Sequence, residues 1–396
     1  MLSELPQRVA TAVYEAGSAL VKFLAPNDVG LTSSHQKGVY LPTNAHHIFS
    51  SRAPHRGENW TEKVSVEWQD GIHTDSSVKW YGEAKSEFRL TGFNRIRHFH
   101  HLAGEQVGSL FLLIPLGQNA FRAFVIGDDD EVEEVCAMLG LDFSERTWTV
   151  YNQETAPALL GQNEDDLQKQ LMTYVESLEV FPTGLEIFLE TEKAAANHLP
   201  HIWNGSADER LSGMLALEYR LFRMIEHRLM IQEVQQNFKD IEAFLVTAKT
   251  TLQRRVSRAG RSFEYHVESL LKREGIPFDR QPKLDGTSPD IIIPSAAAYY
   301  DETYPKDKTF VLAIKTTCKD RWRQVIQEAP RVDRRYLLTT QQGISPAQLN
   351  QMKASNVHLI VPESQHNQYA PELRRDLPNV DQFLQSVRAT LDQPNC

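Results

Sequence analysis

Four short apolar runs in the last third of the chain constrain it most: DIII (290–293), FVLAIK (310–315), YLLTT (336–340) and VHLIVP (357–362). Between and after them lie helix-patterned segments: DRWRQVIQEA (320–329), SPAQLNQMKA (345–354) and VDQFLQSVRATL (380–391). Continuous apolar runs that alternate with helices are the signature of strands buried on both faces in a partly parallel sheet. A helical block precedes them, over about 208–274. It consists of three stretches: DERLSGMLALEYRLFRMIEHRLM, VQQNFKDIEAFLVTAKTTL and GRSFEYHVESLLKREG.

The first third has another character. Residues 4–25 carry apolar residues at helical spacing up to Pro26. VSVEW, VKWYG, SLFLLIPL, FRAFVIG and TWTVYN then read as strands, interrupted by one acidic helix, DDEVEEVCAML (129–139). A small β-barrel or twisted sheet with few helices is expected there. Residues 161–206 are polar, hold two probable helices and read as a linker between domains at 1–160 and 207–396, a division in keeping with 396 residues. The class is α+β followed by α/β.

The net charge of 42 − 52 = −10 excludes a surface coated in basic charge, but not a local phosphate-binding patch. Cys136, Cys318 and Cys396 stand far apart, which argues against disulfides or a thiolate zinc site. No apolar run reaches spanning length and the start lacks a signal-peptide core, so a cytoplasmic protein without a membrane role is expected.

Asp290 opens the DIII run after Pro289, Lys315 ends FVLAIK, and Glu328 follows in the next helical segment. Two acids and a lysine on neighbouring elements suffice for metal-assisted phosphodiester hydrolysis. The carboxylates hold a hard cation such as Mg2+, and the ammonium offsets charge on the attacked phosphate. Solvated surface charges would show the same spacing. In a helix from about 319, Trp322, Val325, Ile326 and Ala329 would form the buried stripe, with Glu328 beside it. Lys319, Asp320 and Arg321 crowd the start of that helix. Arg and Lys bridge the guanine major-groove edge and Asp accepts from cytosine, so the trio suits adjacent C·G pairs. A solvated helix start capped by Asp320 is the alternative.

Here a resemblance enters. Pro289-Asp290 and Lys315 resemble the PD-(D/E)XK nuclease core, except that Ala313 occupies the position of the usual second acid, leaving Glu328 as its substitute. KTTCKDRWRQ (315–324) resembles the active-site and recognition segment of EcoRII-type restriction endonucleases. SRAGRSFEYHVESL (257–270), SPDIIIPSAAAYYDETYP (288–305), EYRLF (218–222) and LIVPESQHNQY (359–369) resemble further segments of that family. The resemblance implies a catalytic set of Asp290, Lys315 and Glu328, with Asp290 and Glu328 on Mg2+ and Glu264 as an additional acid. It implies that Lys319, Asp320 and Arg321 read a CC/GG core, and that Tyr219 stacks on a flipped base. Leu215 stands where the family example has arginine, which puts the flipping pocket in question. Tyr299 matches a tyrosine near the family's active site, and a packed aromatic is the preferred reading.

In the first third, NDVGLTSSHQKGVYLP (27–42) and YGEAKSEFRL (81–90) resemble the family's β-pseudobarrel effector domain. The DNA contacts implied are His35, Tyr40, Lys85, Glu87 and Arg89, the last three on one face of a strand, with Glu83 and Phe88 where the family example carries lysine. RIRHFHH (95–101) has no cysteine or carboxylate at zinc spacing, and a basic loop touching phosphate is preferred to zinc.

The expected protein is a type II restriction endonuclease. It is a homodimer with the 208–274 block as its interface, a DNA methyltransferase as genetic partner, and an effector domain that binds a second site and restrains cleavage. A non-cleaving DNA-binding protein and a mismatch- or structure-directed repair nuclease are the rivals.

Overall fold

The structure is a computed structural model and describes residues 4–32, 38–93, 96, 99–142, 149–152, 166–235 and 238–393. The chain forms two compact units: residues 1–156 with 341–350 and 365–375, and residues 157–340 with 351–364 and 376–396.

The first unit holds α1 (Glu4–Ala16), β1 (Ser18–Phe23), β2 (Val39–Leu41), α2 (His46–Phe49), β3 (Asn59–Trp68), β4 (His73–Tyr81) and β5 (Glu87–Thr91). It continues with β6 (Leu110–Gly117), β7 (Ala120–Ile126), α3 (Asp129–Leu139) and β8 (Thr149–Asn152). The strands make one eight-stranded sheet in the order β2-β5-β4-β3-β7-β6-β1-β8. Among the described residues only the β3–β7 pairing of this sheet is parallel. Alternation along a strand feeds two cores: Phe111 and Leu113 of β6 join Trp68, Trp80 and Phe88, while Leu110, Leu112 and Ile114 meet α1 and α3. The helix expected over 4–25 stops at Ala16. Gly17 takes the left-handed conformation that closes a helix (φ 70°), and the β-rich SALVKF then pairs between β6 and β8.

The second unit begins with α4 (Asp166–Glu176), α5 (Gly184–His198), α6 (Pro200–Trp203), α7 (Ala207–Gln235) and α8 (Ile241–Arg273). The two helices expected in the connecting segment are α4 and α5, and both pack against α7. Two of the three expected helical stretches of the 208–274 block merge into α8, which begins at the Asp240 cap and runs through Gly260. A glycine inside a helix is tolerated at about 1 kcal/mol when its neighbours carry the packing.

The chain continues with β9 (Asp279–Arg280), β10 (Ile291–Ile293), α9 (Ala296–Tyr300), β11 (Phe310–Lys315), α10 (Trp322–Val325), β12 (Arg335–Thr339), α11 (Pro346–Ala354), β13 (Val357–Ile360) and α12 (Val380–Leu391), of which residues 346–350 of α11 belong to the first unit and the rest to the second. The sheet order is β13-β12-β11-β10-β9. β11, β12 and β13 are mutually parallel, and β10 runs antiparallel to β11 and β9, giving the expected mixed, covered sheet. Phe310, Leu312 and Ile314 face α8 and α12, whereas Val311 packs with Tyr299, Ala329 and Val332 on the other side. Among the described residues no helix is long and apolar enough to cross a membrane.

Candidate active site and nucleic-acid interface

The central strand positions the first pair. β11 is apolar and buried until Lys315, where a side chain can emerge at the sheet's end. Antiparallel register sets Ile291 opposite Leu312, so Asp290 arrives beside the end of β11. Its Oδ2 accepts from the Ile314 amide at 2.7 Å and from Lys315 Nζ at 2.9 Å. Ala313 is fully buried between them, an apolar side chain at the position from which the resemblance expects an acid.

Glu328 reaches this pair by a route the periodicity did not foresee. α10 is a single turn and ends at Val325, so Glu328 lies in a turn, not in a helix. Pro330 disfavours helical backbone at the residue before it, and Ala329 adopts φ 44°. The expected stripe is broken accordingly: Trp322, Val325 and Ala329 are buried, but Ile326 is exposed. The turn is held by the Ala329 amide donating to Thr287 Oγ1 (3.2 Å) and by Arg335 Nε donating to the Glu328 carbonyl (3.1 Å).

Glu328 Oε2 is buried without a hydrogen-bond partner. Burial pushes its carboxyl up to about 7, with Lys315 pulling down, Asp290 pushing up and Arg335 pulling down. Glu264 of α8 is raised likewise, first by burial and then by Asp290, against Arg280 and Lys315. Gln281 Nε2 donates to Glu264 Oε2 at 3.2 Å, and Arg280 lies 3.6 Å from the same oxygen. Both glutamates thus feel the charges of Asp290 and Lys315. An all-oxygen donor set with one orphaned buried oxygen fits a hard divalent cation, which would satisfy that oxygen and offset the repulsion between acids. Arg280 and Gln281 escaped the sequence reading because neither a two-residue strand nor the left-handed residue after it (Gln281, φ 42°) carries a periodicity.

Lys319, Asp320 and Arg321 occupy the turn that enters α10. Arg321 is the N-cap residue and makes no side-chain cap, so Asp320 stands one residue before the position expected for it. Asp320 is exposed and pairs with Arg323 at 3.5 Å, while Lys319 is buried. Tyr219 of α7 is half-buried, with the Arg258 guanidinium 4.8 Å from its ring centre, and Leu215 packs on the main core. Tyr299 is buried and its hydroxyl donates to Asp285 Oδ2 at 2.8 Å. Burial, then this bond, pushes it up to about 12. It is a packed aromatic.

In the first unit Tyr40 of β2 stands opposite Arg89 of β5. Ser86 (φ 51°) breaks the extended run, so Lys85 falls in the β4–β5 turn and not on the strand face. The three charges still form one series: Arg89 Nε meets Glu87 Oε1 at 2.8 Å, and Lys85 Nζ lies 4.0 Å from the same oxygen. Phe88 points into the core. Glu83 accepts from Asn59 Nδ2 at 2.8 Å. His35 lies outside the described residues, as do Arg95, Arg97 and His98 of RIRHFHH. His100 and His101 of that segment meet Asp70, a partner about thirty residues upstream that spacing could not reveal.

A family model described as EcoRII C terminal matches residues 222–384, and one described as restriction endonuclease EcoRII, N-terminal, matches residues 14–140. The type II restriction enzyme EcoRII of Escherichia coli is 30% identical over 386 residues, covering 92% of each chain. The type II restriction enzyme SsoII of Shigella sonnei is 32% identical over 124 residues, 28% of this chain and 40% of that one. A solved complex of the restriction endonuclease PspGI with substrate DNA superposes with a TM-score of 0.45 at 13% identity, covering 54% of this chain and 94% of that one.

Proposed function

This chain belongs to the EcoRII family of type II restriction enzymes, and we propose that it hydrolyses both strands of DNA at a site with a CC/GG core, with Mg2+ held by Asp290 and Glu328. The observation that carries this reading is the Lys315–Asp290 contact of 2.9 Å, whose two charges act on Glu328, a carboxylate with one buried oxygen that lacks a hydrogen bond. When bound, the divalent ion supplies charge neutralisation at the phosphate and a more acidic water for attack. Lys315 presents its ammonium toward the same phosphate, and Asp290 orients it. Glu264 adds a third acid at the rim. Glu328, whose carboxyl burial pushes up to about 7, would have to be ionised to hold the ion.

Lys319 and Arg321 are assigned to guanine edges and Asp320 to a cytosine amino group. Tyr219 is assigned to stacking on a base displaced from the site centre, on the ring face that Arg258 does not cover or in its place. The first unit is read as an effector pseudobarrel that binds a second copy of the site through His35, Tyr40, Lys85, Glu87 and Arg89 and restrains cleavage until it does. Cutting both strands of a near-palindrome calls for a twofold homodimer, with the α7–α8 block as its interface. Host DNA is then protected by a methyltransferase of matching specificity, and the pair acts in the cytoplasm.

The test is incubation of a sequenced plasmid with protein and Mg2+, followed by mapping of the ends. Breaks confined to CC/GG-containing sites, and accelerated by a site-bearing oligonucleotide added in trans, are expected. Tight binding without breaks would establish the non-cleaving reader instead, and breaks at mismatches or without sequence preference the repair nuclease.

A further inference from the structure

The histidine-rich segment of the first unit has a partner that the proposed function does not use. Asp70 sits in the β3–β4 turn, which Gly71 reverses at φ 83°. Its Oδ1 accepts from the Ile72 amide at 3.2 Å, which fixes the carboxylate plane. That leaves Oδ2 facing two rings, His101 Nε2 at 2.9 Å and His100 Nε2 at 3.7 Å. The His101 ring is itself locked. It is buried, stacks on the Trp68 indole with centroids 5.1 Å apart and planes 9° from parallel, and meets the edge of Phe99 at 5.4 Å. His100 is 58% exposed and could turn to solvent, yet its ring centre lies 4.1 Å from that of His101.

We propose that Asp70, His100 and His101 bind a divalent ion of the zinc class, pinning the loop after β5 to the β3–β4 turn. One ligand atom from each residue lies within 4.8 Å of the others. Zinc bonds of about 2.0–2.2 Å to nitrogen and oxygen set tetrahedral ligand atoms roughly 3.3–3.5 Å apart. The carboxylate's separations of 2.9 and 3.7 Å from the two nitrogens bracket that spacing. A lone hydrogen bond accounts for His101 but not for His100, which stands beyond hydrogen-bonding distance of the oxygen it faces. Two imidazoles and one carboxylate with an open fourth position form a borderline-soft set. It suits zinc and disfavours Mg2+, which prefers oxygen and retains its water. The Ile72 amide and the Trp68 face do for these ligands what outer partners do in metal centres: they hold each in its binding orientation.

The experiment uses the full-length chain carrying Asp290→Asn and Glu328→Gln, so that the acids of the second unit do not hold the ion. The protein is stripped with a chelator and titrated with Zn2+ against a chromophoric competitor, and Co2+ is used for the visible spectrum. One tight zinc per chain is expected, with a Co2+ spectrum of nitrogen-containing low coordination and a zinc-dependent rise in Tm. His100→Ala, at an exposed position, and the isosteric Asp70→Asn should each weaken zinc at least tenfold and abolish the Tm rise while leaving the far-ultraviolet circular dichroism unchanged. Failure of the parent to take up zinc, or uptake that neither substitution weakens, overturns the proposal.

Discussion

Each unit contains a carboxylate facing nitrogen, and the two nitrogens are of different kinds. In the second unit Asp290 meets an ammonium, with further acids nearby. In the first, Asp70 meets two imidazoles. An ammonium has no lone pair to offer a metal, so on the proposed reading the acids hold the ion, and a set of oxygens selects a hard one. Imidazole offers a lone pair, so nitrogen joins the donor set and a softer ion is selected. Similar distances therefore point to two chemistries, and the partner's identity decides which.

The largest expected effect tests whether Lys315 is chemical or merely structural. Lys315→Ala should lower the cleavage rate by about 10²–10³-fold, the usual loss for a group that stabilises transition-state charge. Binding to the same site, measured in Ca2+, should be largely retained. A variant that still cuts at the wild-type rate would reduce Lys315–Asp290 to an ordinary ion pair and erase the contrast between the units.

How much of this was legible from the chain follows the same division. β10 and β11 announce themselves because every residue is apolar until the charge at the end, and antiparallel pairing then brings Asp290 to Lys315 with no further information needed. Glu328 was located, but on the wrong element, because Pro330 and the left-handed Ala329 end the helix early. Lys85, Glu87 and Arg89 were placed on one strand, where Ser86 instead turns the chain and leaves the grouping to side-chain contacts. β1 was hidden by SALVKF, whose apolar pattern continues that of the preceding helix until Gly17 is given its conformation. Asp70 was invisible, since its histidines reach it only once β3, β4 and β5 have paired.

A second experiment sharpens the hard-ion side through pH. The folded-state pKa of Glu328 is raised from 4.5 to about 7, so the metal-free fold favours the protonated acid. The stability this contributes is fully present below the unfolded value of about 4.5 and is lost as pH rises through 7. Glu328→Gln, neutral at every pH, should therefore stabilise the metal-free protein by about 1–3 kcal/mol at pH 8, discounted for partial exposure, and by nothing near pH 4. Urea unfolding in chelator at the two pH values measures this. Saturating Mg2+ should narrow the gap at pH 8 by stabilising the wild type alone. Equal stabilities at pH 8 without metal would mean that burial does not penalise the ionised form of this carboxyl.

A reader of bases should behave unlike either cluster. Arg321→Ala is expected to cost about 1–3 kcal/mol on a CC/GG-containing duplex and much less on random sequence. Equal losses on both would mean that Arg321 touches only phosphate, and the 319–321 turn would then serve as a backbone clamp.

The smallest effect comes from a third carboxylate, Asp285, whose Oδ2 takes both the Tyr299 hydroxyl and the Arg331 guanidinium. Tyr299→Phe removes the 2.8 Å bond, and with it the long 3.4 Å one that the oxygen accepts from the Arg331 amide, but leaves the ring packed against Val311 and Val332. The loss should be about 0.5–1.5 kcal/mol in urea unfolding, the net worth of one such bond. Because Arg331 still pairs with Asp285 at 3.0 Å, no ion is called for there and cleavage should be unchanged. A fall in rate beyond about tenfold would place the tyrosine hydroxyl in the chemistry and make Asp285 a third functional acid. The distinction between an acid flanked by other acids or imidazoles, which calls for an ion, and one flanked by a guanidinium, which does not, would then fail in this fold.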